Sequence, residues 1–357
     1  MKGVTKENIN KYALYEFLTE YKELNADNKY KPVAVGRYGI RKRESIYSKE
    51  LAKDYSKNKL IHKNTLTVGM GSKQIDIGIL IEDETFAVSP AYHTYKIQGI
   101  RCKYLEYCLQ SKNIEMFSLY AKRGSRQGKS IDLKRWLTYK IPVYSEEDQI
   151  VIEENLNKIN VVIELRRKQL ELLDELVRAR FVEMFGTLHD NENRFNIVTI
   201  EEVCSIIKDG THQTPHYTED KINGYKFLSS KDVMSQKINW ENIKYIPKDL
   251  HEKLYASIQP QRNDILMSKN GVNYGVAAVN DTDEVFDIYV SLALLRPKQL
   301  IDPVFFRCVI NSIETKRQFD MSIKGIGVPN LHLGEIKKTK IILPPMVLQK
   351  QFVTFVK

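Results

Sequence analysis

The sequence predicts an α+β protein in which two similar mixed α/β domains are joined by a long coiled-coil-type helix. The chain repeats itself at a spacing of 200 residues, as from Gln149 to Gln349. A stretch from about Glu146 to Phe185 contains neither Gly nor Pro, and short β-branched and aromatic runs lie on both sides of it. With 357 residues the chain has room for two or three domains of roughly 100–200 residues each. We predict domains at residues 1–144 and 187–345, a helical spacer at 145–186, and the start of a second helix at 346–357.

The repeat is weak in identity, but it keeps one register over eight pairs of positions, which chance rarely does. Repeats at a fixed spacing indicate duplicated structural units. We therefore expect the two domains to share one fold. The pairs are Ile131 with Leu331, Leu133 with Leu333, Lys140 with Lys340, Ile141 with Ile341, Gln149 with Gln349, Gly71 with Gly271, Leu105 with Phe305, and Cys108 with Cys308.

The first domain contains short runs that are typical of strands, separated by glycines. These runs lie at 33–35, 66–68, 77–81, 86–88 and 92–97. Apolar residues at helical spacing then predict one helix from 103 to about 121. The first domain is therefore predicted as a mixed sheet followed by a helix.

The spacer has apolar residues that alternate between spacings of three and four, which is coiled-coil geometry. Arg166 interrupts this pattern. Ser145 is a plausible N-terminal cap and Gly186 a plausible C-terminal stop. At 1.5 Å per residue the helix would be roughly 55–60 Å long. This length disfavours the alternative, which is a core helix of an ordinary domain. We predict that six residues pack against a domain, another helix or another chain: Leu156, Ile159, Ile163, Leu170, Leu173 and Val177.

The second domain opens with a helical or strand segment at 198–207 and a polar loop at 208–215. Strand-like runs follow at 226–228, 265–267, 276–279 and 288–295, and 305–313 is the expected counterpart of the helix near Leu105. The sequence ends at Lys357, a few residues into a segment that the repeat predicts to be a longer helix.

The chain is basic, with a formal net charge of +10. An excess of Lys and Arg favours a polyanionic partner, and nucleic acid is the leading candidate. A basic surface without such a partner is the alternative.

The four cysteines, Cys102, Cys108, Cys204 and Cys308, form no C-x-x-C pair and match no common zinc framework. The N-terminal residues have no apolar signal region, and no stretch approaches the ~18 apolar residues of a membrane span. We expect reduced thiols and a cytoplasmic location.

Motifs of catalysis are absent from the sequence. It has no Gly-Lys-Ser/Thr phosphate loop, no H-E-x-x-H, no nucleophile elbow and no kinase signature. The only Pro-Pro pair, Pro344-Pro345, lacks the polar and aromatic neighbours of an amino-methyltransferase loop. His212 and His216 flank Pro215 without a third ligand, so a polar loop is favoured over a metal site. We expect no metal and no catalytic residue.

Candidate binding residues are concentrated in basic and polar loops. Each loop alone fits the alternative of a solvated surface loop, but similar loops recur at matched places in the two copies. Gly and Ser allow a loop to approach a phosphate backbone, and Arg, Gln and Asn can contact base edges. Arg126, Gln127, Lys269, Asn270 and Asn273 are the strongest candidates for base contacts. The other candidates for DNA binding are Arg41, Arg43, Lys73, Gln74, Lys122, Arg123, Lys129, Thr211, His212, Gln213, Lys231, Tyr274, Lys324 and Asn330.

Four stretches resemble one known family. They are IPVYSEEDQI at 141–150, recurring as ILPPMVLQ at 342–349; QLELLDELVRARFVEMFG at 169–186; DGTHQTP at 209–215 followed by FLSSKD at 227–232; and NDILMSKNG at 263–271. In this order they resemble the DNA-specificity subunit of type I restriction-modification systems, over nearly the whole chain.

The resemblance implies two target-recognition domains, each of which binds one half of a split DNA sequence. Conserved helices would separate the two domains and bind the methylation (M) subunits. S-adenosylmethionine, ATP and Mg are expected in the M and restriction (R) subunits, with none bound by this chain. At ~3.4 Å per base pair, a gap of one to two turns between half-sites is reasonable.

Two departures from the family pattern leave alternatives. The distal helix is almost absent from the sequence, and the first domain lacks the Asp-Gly-Thr-His opening of the second. A truncated subunit could bind a half-site or self-associate through its exposed helix. A coiled-coil adaptor would bind protein without DNA readout. An enzyme with strongly diverged motifs is the third possibility, supported only if the purified chain methylates or cleaves DNA by itself.

Overall fold

The computed structural model describes residues 10–37, 39–46, 54–123, 129–191, 193–323 and 329–357. The chain divides into two compact units, Met1–Arg166 (unit 1) and Arg167–Lys357 (unit 2). Each unit has its own sheet and its own hydrophobic core. The described residues contain no helix that is both long and apolar enough to cross a bilayer.

In its described residues, unit 1 combines short strands with three α-helices and the first half of a fourth. Its elements are β1 Lys11–Ala13, β2 Leu18–Glu20, β3 Val33–Gly36, β4 Gly39–Lys42, β5 Lys59–Ile61, β6 Thr65–Met70, β7 Ile75–Leu80, β8 Phe86–Val88, β9 His93–Ile97, α1 Cys102–Ser111, α2 Asn113–Tyr120, β10 Ala121–Arg123, β11 Lys129–Ile131, α3 Leu133–Trp136, β12 Lys140–Pro142 and α4 Glu146–Phe185.

The central sheet of unit 1 is antiparallel, with the strand order β2-β9-β6-β7. Two-stranded ladders join β1 to β12, β3 to β4, β5 to β8, and β10 to β11. Leu66 and Val68 from the sheet, Leu105 from α1 and Trp136 from α3 are fully buried together. Burial of such β-branched, aliphatic and aromatic side chains is the dominant favourable contribution to folding.

Unit 2 continues from α4. Its elements are β13 Asn196–Thr199, α5 Ile200–Val203, β14 Cys204–Asp209, β15 Tyr225–Leu228, β16 Lys244–Ile246, α6 Lys248–Tyr255, β17 Ile265–Ser268, β18 Ala277–Val279, β19 Phe286–Ile288, β20 Leu292–Pro297, α7 Pro303–Ile310, α8 Ile313–Ser322, α9 Leu333–Lys338, β21 Lys340–Leu343 and α10 Met346–Val356.

The central sheet of unit 2 has the strand order β14-β20-β17-β18 and is also antiparallel. A second sheet has the order β16-β15-β19, in which β15 and β19 run parallel. The core contains an aromatic cluster in which Phe181 and Phe185 of α4 contact Phe305 of α7 and Phe352 of α10. The end of α4 is therefore an integral part of unit 2.

The duplication predicted from the sequence is visible in the two units. The central sheets have the same order, and β6, α1, α2, α3 and β12 lie about 200 residues before β17, α7, α8, α9 and β21. Asn113 accepts a hydrogen bond from the Ile75 amide at 2.8 Å and donates one to the Ile75 carbonyl at 2.9 Å. Asn311 makes the same two bonds with Ala277, both at 2.9 Å. The two-domain fold with a joining helix is confirmed.

The predicted spacer forms one uninterrupted helix, α4. Asp148 donates its amide to the Ser145 hydroxyl at 3.2 Å, which caps the N-terminus as predicted. Gly186 has a φ of +70° and follows the last helical residue, which is the conformation expected at a C-terminal stop. From 157 to 176 every residue of the helix is exposed in this chain.

Three segments differ from the sequence predictions. The helix expected at 103–121 is two helices, because Lys112 leaves the helical conformation with φ −112° and ψ 10°. The run at 288–295 is two strands separated by the turn at 289–291. The segment at 198–207 is a strand, a one-turn helix and a strand in succession. None of these breaks is marked by an internal Gly or Pro.

Candidate nucleic-acid interface

Five segments of unit 2 meet at the ends of its strands: 209–213, 230–232, 269–274, 289–291 and 329–331. We call them the unit 2 loop cluster. Val290 donates its amide to the Thr211 carbonyl at 3.0 Å, and Lys269 donates its amide to the Ser291 carbonyl at 2.9 Å. Ser230 donates to the Ser291 hydroxyl at 3.0 Å, and Leu331 to the Lys269 carbonyl at 2.8 Å. Hydrogen bonds donated by backbone amides thus bring together residues that are far apart in sequence.

Gly210 allows the first of these segments to approach β19. The Thr211 amide donates to the Ile288 carbonyl at 3.1 Å, and Thr211 forms a parallel bridge with Tyr289. A Cβ at position 210 would lie 2.0 Å from the Ile288 carbonyl oxygen, so a side chain cannot be accommodated there without backbone movement. The close approach of this segment to β19 therefore explains why a glycine stands between Asp209 and Thr211.

Asp209 organises the charges of the cluster. Its Oδ2 accepts a hydrogen bond from Lys269 Nζ at 2.8 Å and lies 3.3 Å from His212 Nε2. The Lys269 side chain is only 5% exposed, whereas that of His212 is 73% exposed. The expectation that Lys269 faces DNA is therefore wrong for this conformation: its ammonium group is buried and holds two loops together.

The turn after β17 carries two asparagines with different environments. Asn270 forms a backbone bridge with Asn330, and its Oδ1 is buried without a hydrogen-bond partner among the described residues. Gly271 adopts a φ of +86°, which favours glycine. Asn273 is exposed, and its carbonyl accepts the Ser268 hydroxyl at 2.8 Å. The Asn273 side chain is thus exposed to solvent, while the hydrogen bond from Ser268 fixes the backbone of the turn.

Tyr274 was predicted to contact DNA, but it is 9% exposed. Its hydroxyl donates to Asp320 Oδ1 at 2.6 Å, and Lys316 Nζ lies 3.5 Å from the centroid of its ring. Hydrogen bonds from Lys316 and then Tyr274 hold the pKa of Asp320 below its usual range. Tyr274 therefore fixes the turn against α8, and its burial contradicts the prediction of a surface role.

Five predicted residues of the cluster have exposed side chains: His212, Gln213, Lys231, Asn273 and Asn330. Thr211 is half-buried, and its hydroxyl accepts the Gln213 amide at 3.2 Å. Lys231 Nζ lies 3.9 Å from Asp232 Oδ1. Together these side chains offer hydrogen-bond donors and acceptors and two basic groups, which are the means of contacting base edges and phosphates.

The described unit 1 candidates lie in four places: a strand, the 3-10 turn after it, a turn between two strands, and a two-stranded ladder. Arg41 is on β4 and Arg43 in the 3-10 turn that follows it; Lys73 and Gln74 are in the turn between β6 and β7. The remaining residues belong to the β10–β11 ladder, where Lys122 lies 3.9 Å from Asp132, and Arg123 pairs with Lys129 in the backbone register. Arg126, Gln127 and Lys324 lie outside the described residues.

The helix residues predicted to pack are mostly exposed in this single chain. Leu156 is half-buried, and Val177 packs against the core of unit 2. Between them, four side chains are 42% to 64% exposed: Ile159, Ile163, Leu170 and Leu173. Val162, Leu165, Leu172 and Leu176 add to the same exposed apolar surface. Together these side chains form an apolar surface on α4 that this chain leaves exposed to solvent.

Sequence reasoning missed the role of Asp209. The motif around it was recognised, but its partner Lys269 lies 60 residues further along the chain. In the part of the chain that the structure describes, no three His, Cys, Asp or Glu side chains are placed to hold a metal ion.

Comparisons with known proteins agree with this architecture. Residues 192–357 match the family model described as type I restriction modification DNA specificity domain. The chain is 24% identical over 237 residues to the type I restriction enzyme MjaVIII specificity subunit of Methanocaldococcus jannaschii, covering 62% of this chain and 55% of that protein. It is 23% identical over 270 residues to the MjaIX specificity subunit of the same organism, covering 71% and 61%. The matches thus span little more than half the length of these relatives.

A crystal structure of the type I restriction-modification S subunit from M. genitalium has a similar fold. Its TM-score against this chain is 0.51 at 16% sequence identity, with 99% of this chain and 90% of that chain covered. At this identity the match supports the fold alone.

Proposed function

We propose that the chain is a member of the family of type I restriction-modification DNA-specificity subunits, that it recognises a DNA sequence and that it performs no catalysis itself. The observation that carries the proposal is the unit 2 loop cluster. There, His212, Gln213, Asn273 and Asn330 are exposed on segments whose backbones are hydrogen-bonded to one another. Polar side chains on a fixed backbone are suited to contacting base edges.

Each unit would bind one half of a bipartite target. Support comes from the common order of the two central sheets, since a duplicated framework can present different loops to two similar double-stranded DNA surfaces. Among the unit 1 candidates for DNA contact, Arg41, Lys73 and Lys122 have exposed side chains. Lys and Arg would supply the sequence-independent, salt-dependent part of the affinity.

The exposed apolar surface of α4 would bind partner proteins. We propose that methylation (M) subunits cover it and that a restriction (R) subunit joins the complex, with methylation and cleavage directed to the recognised site. S-adenosylmethionine, ATP and Mg would then be bound by those subunits. The same surface supports two alternatives: self-association of a half-site binder, and a coiled-coil adaptor that does not bind DNA.

A selection from random duplexes tests the proposal. The full chain is mixed with a methylation subunit, bound duplexes are recovered, and the enriched sequence is determined. We expect a split motif with a fixed gap. A single short half-site, accompanied by a dimer in solution, would support the self-associating alternative. If no sequence is enriched at any salt concentration, DNA recognition is refuted and the adaptor alternative is favoured.

A further inference from the structure

An exposed tyrosine and lysine lie together beside the unit 2 loop cluster. The Lys244 Nζ is 3.9 Å from the centroid of the Tyr217 ring, which is a cation–π distance. Tyr217 is 44% exposed and Lys244 is exposed. The pair therefore presents a positive charge and a phenolic hydroxyl to solvent.

The backbone fixes this pair relative to the loop cluster. Tyr217 follows the first segment of the cluster by four residues. Its neighbour Thr218 forms an antiparallel bridge with Tyr245 and donates its amide to the Tyr245 carbonyl at 2.9 Å. This bridge aligns the chain with β16 and brings Tyr217 beside Lys244.

The Tyr217 ring also packs toward the cluster itself. Its centroid is 6.1 Å from that of Phe227, in an edge-to-face arrangement, and the Phe227 centroid is 6.1 Å from that of Tyr289. Tyr289 bridges Thr211 within the cluster. A continuous series of rings thus connects the pair to the loop that carries His212 and Gln213.

Lys244 differs in its partner from three other lysines of unit 2. Lys269 is paired with Asp209, Lys231 lies near Asp232, and Lys226 is 2.6 Å from Glu284. Among the described residues no carboxylate lies within 4.0 Å of Lys244; its contact is a neutral ring. Its charge is therefore available to an external anion, while the ring restricts where the side chain can go.

Tyr217 can act as a donor at the same place. Burial of part of the ring raises the pKa of the Tyr217 hydroxyl above its ordinary value of 10.0, with smaller contributions from Tyr289 and Asp232. The hydroxyl therefore stays protonated near neutral pH and can donate a hydrogen bond.

We propose that Tyr217 and Lys244 together bind one backbone phosphate of DNA at the flank of the unit 2 loop cluster. The ammonium group pairs with the phosphate charge and the phenol donates to a phosphate oxygen. This inference rests on the proposed function and adds two residues to the interface. A phosphate contact positions the protein on the duplex but carries no sequence information.

The test measures the affinity of the full chain, with a methylation subunit, for the enriched duplex and a scrambled duplex over a range of KCl concentrations. Lys244→Met should lower the slope of log affinity against log salt by about one and weaken binding to both duplexes alike. Lys244→Arg should keep the slope. Tyr217→Phe should keep the slope but weaken binding by roughly 3- to 10-fold, since one hydrogen bond is lost.

Lys350→Met is the matched control: it removes one exposed positive charge from α10 and should change neither quantity. Lys244→Gln provides a second charge-removing variant should the methionine variant fold poorly. A slope for Lys244→Met and Lys244→Gln equal to that of Lys350→Met would overturn the inference. A changed target sequence would overturn the phosphate role in favour of base contact. If the unmodified chain shows no salt-sensitive DNA binding, the proposed function fails and the inference fails with it.

Discussion

Gln149 and Gln349 lie 200 positions apart and occupy equivalent, buried places in the two units. Gln149 Oε1 accepts the Arg101 amide at 3.2 Å, and its Nε2 donates at 2.9 Å to the carbonyl five residues before it. Gln349 Oε1 accepts the Asp302 amide at 2.8 Å, and its Nε2 likewise donates at 2.8 Å to the carbonyl five residues before it. In each unit this glutamine connects the first turn of one helix to the start of another.

Replacing Gln349 with Ala should destabilise unit 2. Three hydrogen bonds would be lost, one from the Asp302 amide and two to the Leu300 and Pro344 carbonyls, of which the Pro344 bond is buried. We expect the free energy of unfolding to fall by about 3 kcal/mol, measured by urea denaturation. Gln351→Ala on the same helix removes an exposed side chain and should have little effect. Equal effects of the two substitutions would contradict the role given to Gln349.

Gly210→Ala should disrupt the loop cluster, because its Cβ would lie 2.0 Å from the Ile288 carbonyl oxygen. We expect a large loss of stability in unit 2 and loss of sequence preference in the duplex selection. Gly334→Ala in α9 is the control: among the described residues, no atom beyond its chain neighbours and its own helix backbone lies within 4 Å of the added Cβ. That substitution should raise the free energy of unfolding by about 0.5 kcal/mol. If the Gly210→Ala protein is as stable as the unmodified chain, the backbone segments at Gly210 and Ile288 can move apart, which would contradict this prediction.

Lys269→Met should leave the Asp209 carboxylate without its buried partner. Removing one member of such a pair lowers the free energy of unfolding by roughly 3 kcal/mol, whereas replacing both members with uncharged residues lowers it less. We therefore expect the double variant Asp209→Asn/Lys269→Met to be more stable than Lys269→Met alone, as measured by urea unfolding in a double-mutant cycle. Strictly additive effects would mean that the pair contributes nothing. Arg262→Met, which removes an exposed ion pair with Asp283, should change stability very little.

The thiol of Cys204 should be unreactive in the folded protein. Burial raises its pKa to about 12 from an ordinary value of 9.0, and only the thiolate reacts with disulfide reagents. At pH 8 we expect slow labelling of Cys204 in buffer and fast labelling in urea, with Cys204→Ser identifying its share of the signal. The folded state favours the protonated thiol of Cys204. The contribution of this thiol to the free energy of unfolding is therefore complete below pH 9, and it is lost as the pH rises toward 12. Fast labelling in the native state would contradict this burial.

Features that depend on local sequence were predicted well. The lack of Gly and Pro, the cap at Ser145 and the stop at Gly186 defined α4 correctly, because each acts within a few residues. The repeat identified the common framework, since equivalent residues such as Gln149 and Gln349 keep the same hydrogen-bonding role.

Features that depend on distant partners could not be predicted. Lys269 has the sequence appearance of a surface loop residue, yet Asp209, which is 60 positions away, accounts for its burial. Tyr274 is buried because Asp320 and Lys316 on α8 hold it. The break at Lys112 arises without any Gly or Pro, so the pattern of apolar residues alone gave one helix where there are two. The Tyr217–Lys244 contact depends on the isolated bridge between Thr218 and Tyr245 and was not anticipated.

The bonds that Asn113 and Asn311 make have a consequence for molecular evolution. Both asparagines bind the main-chain atoms of a strand residue, so the side chain at that position can change without loss of the bond, as from Ile75 in one unit to Ala277 in the other. Neutral drift can then replace much of the ancestral sequence while the architecture persists. Two halves of one gene can in this way become almost unrecognisable as relatives and still encode the same framework.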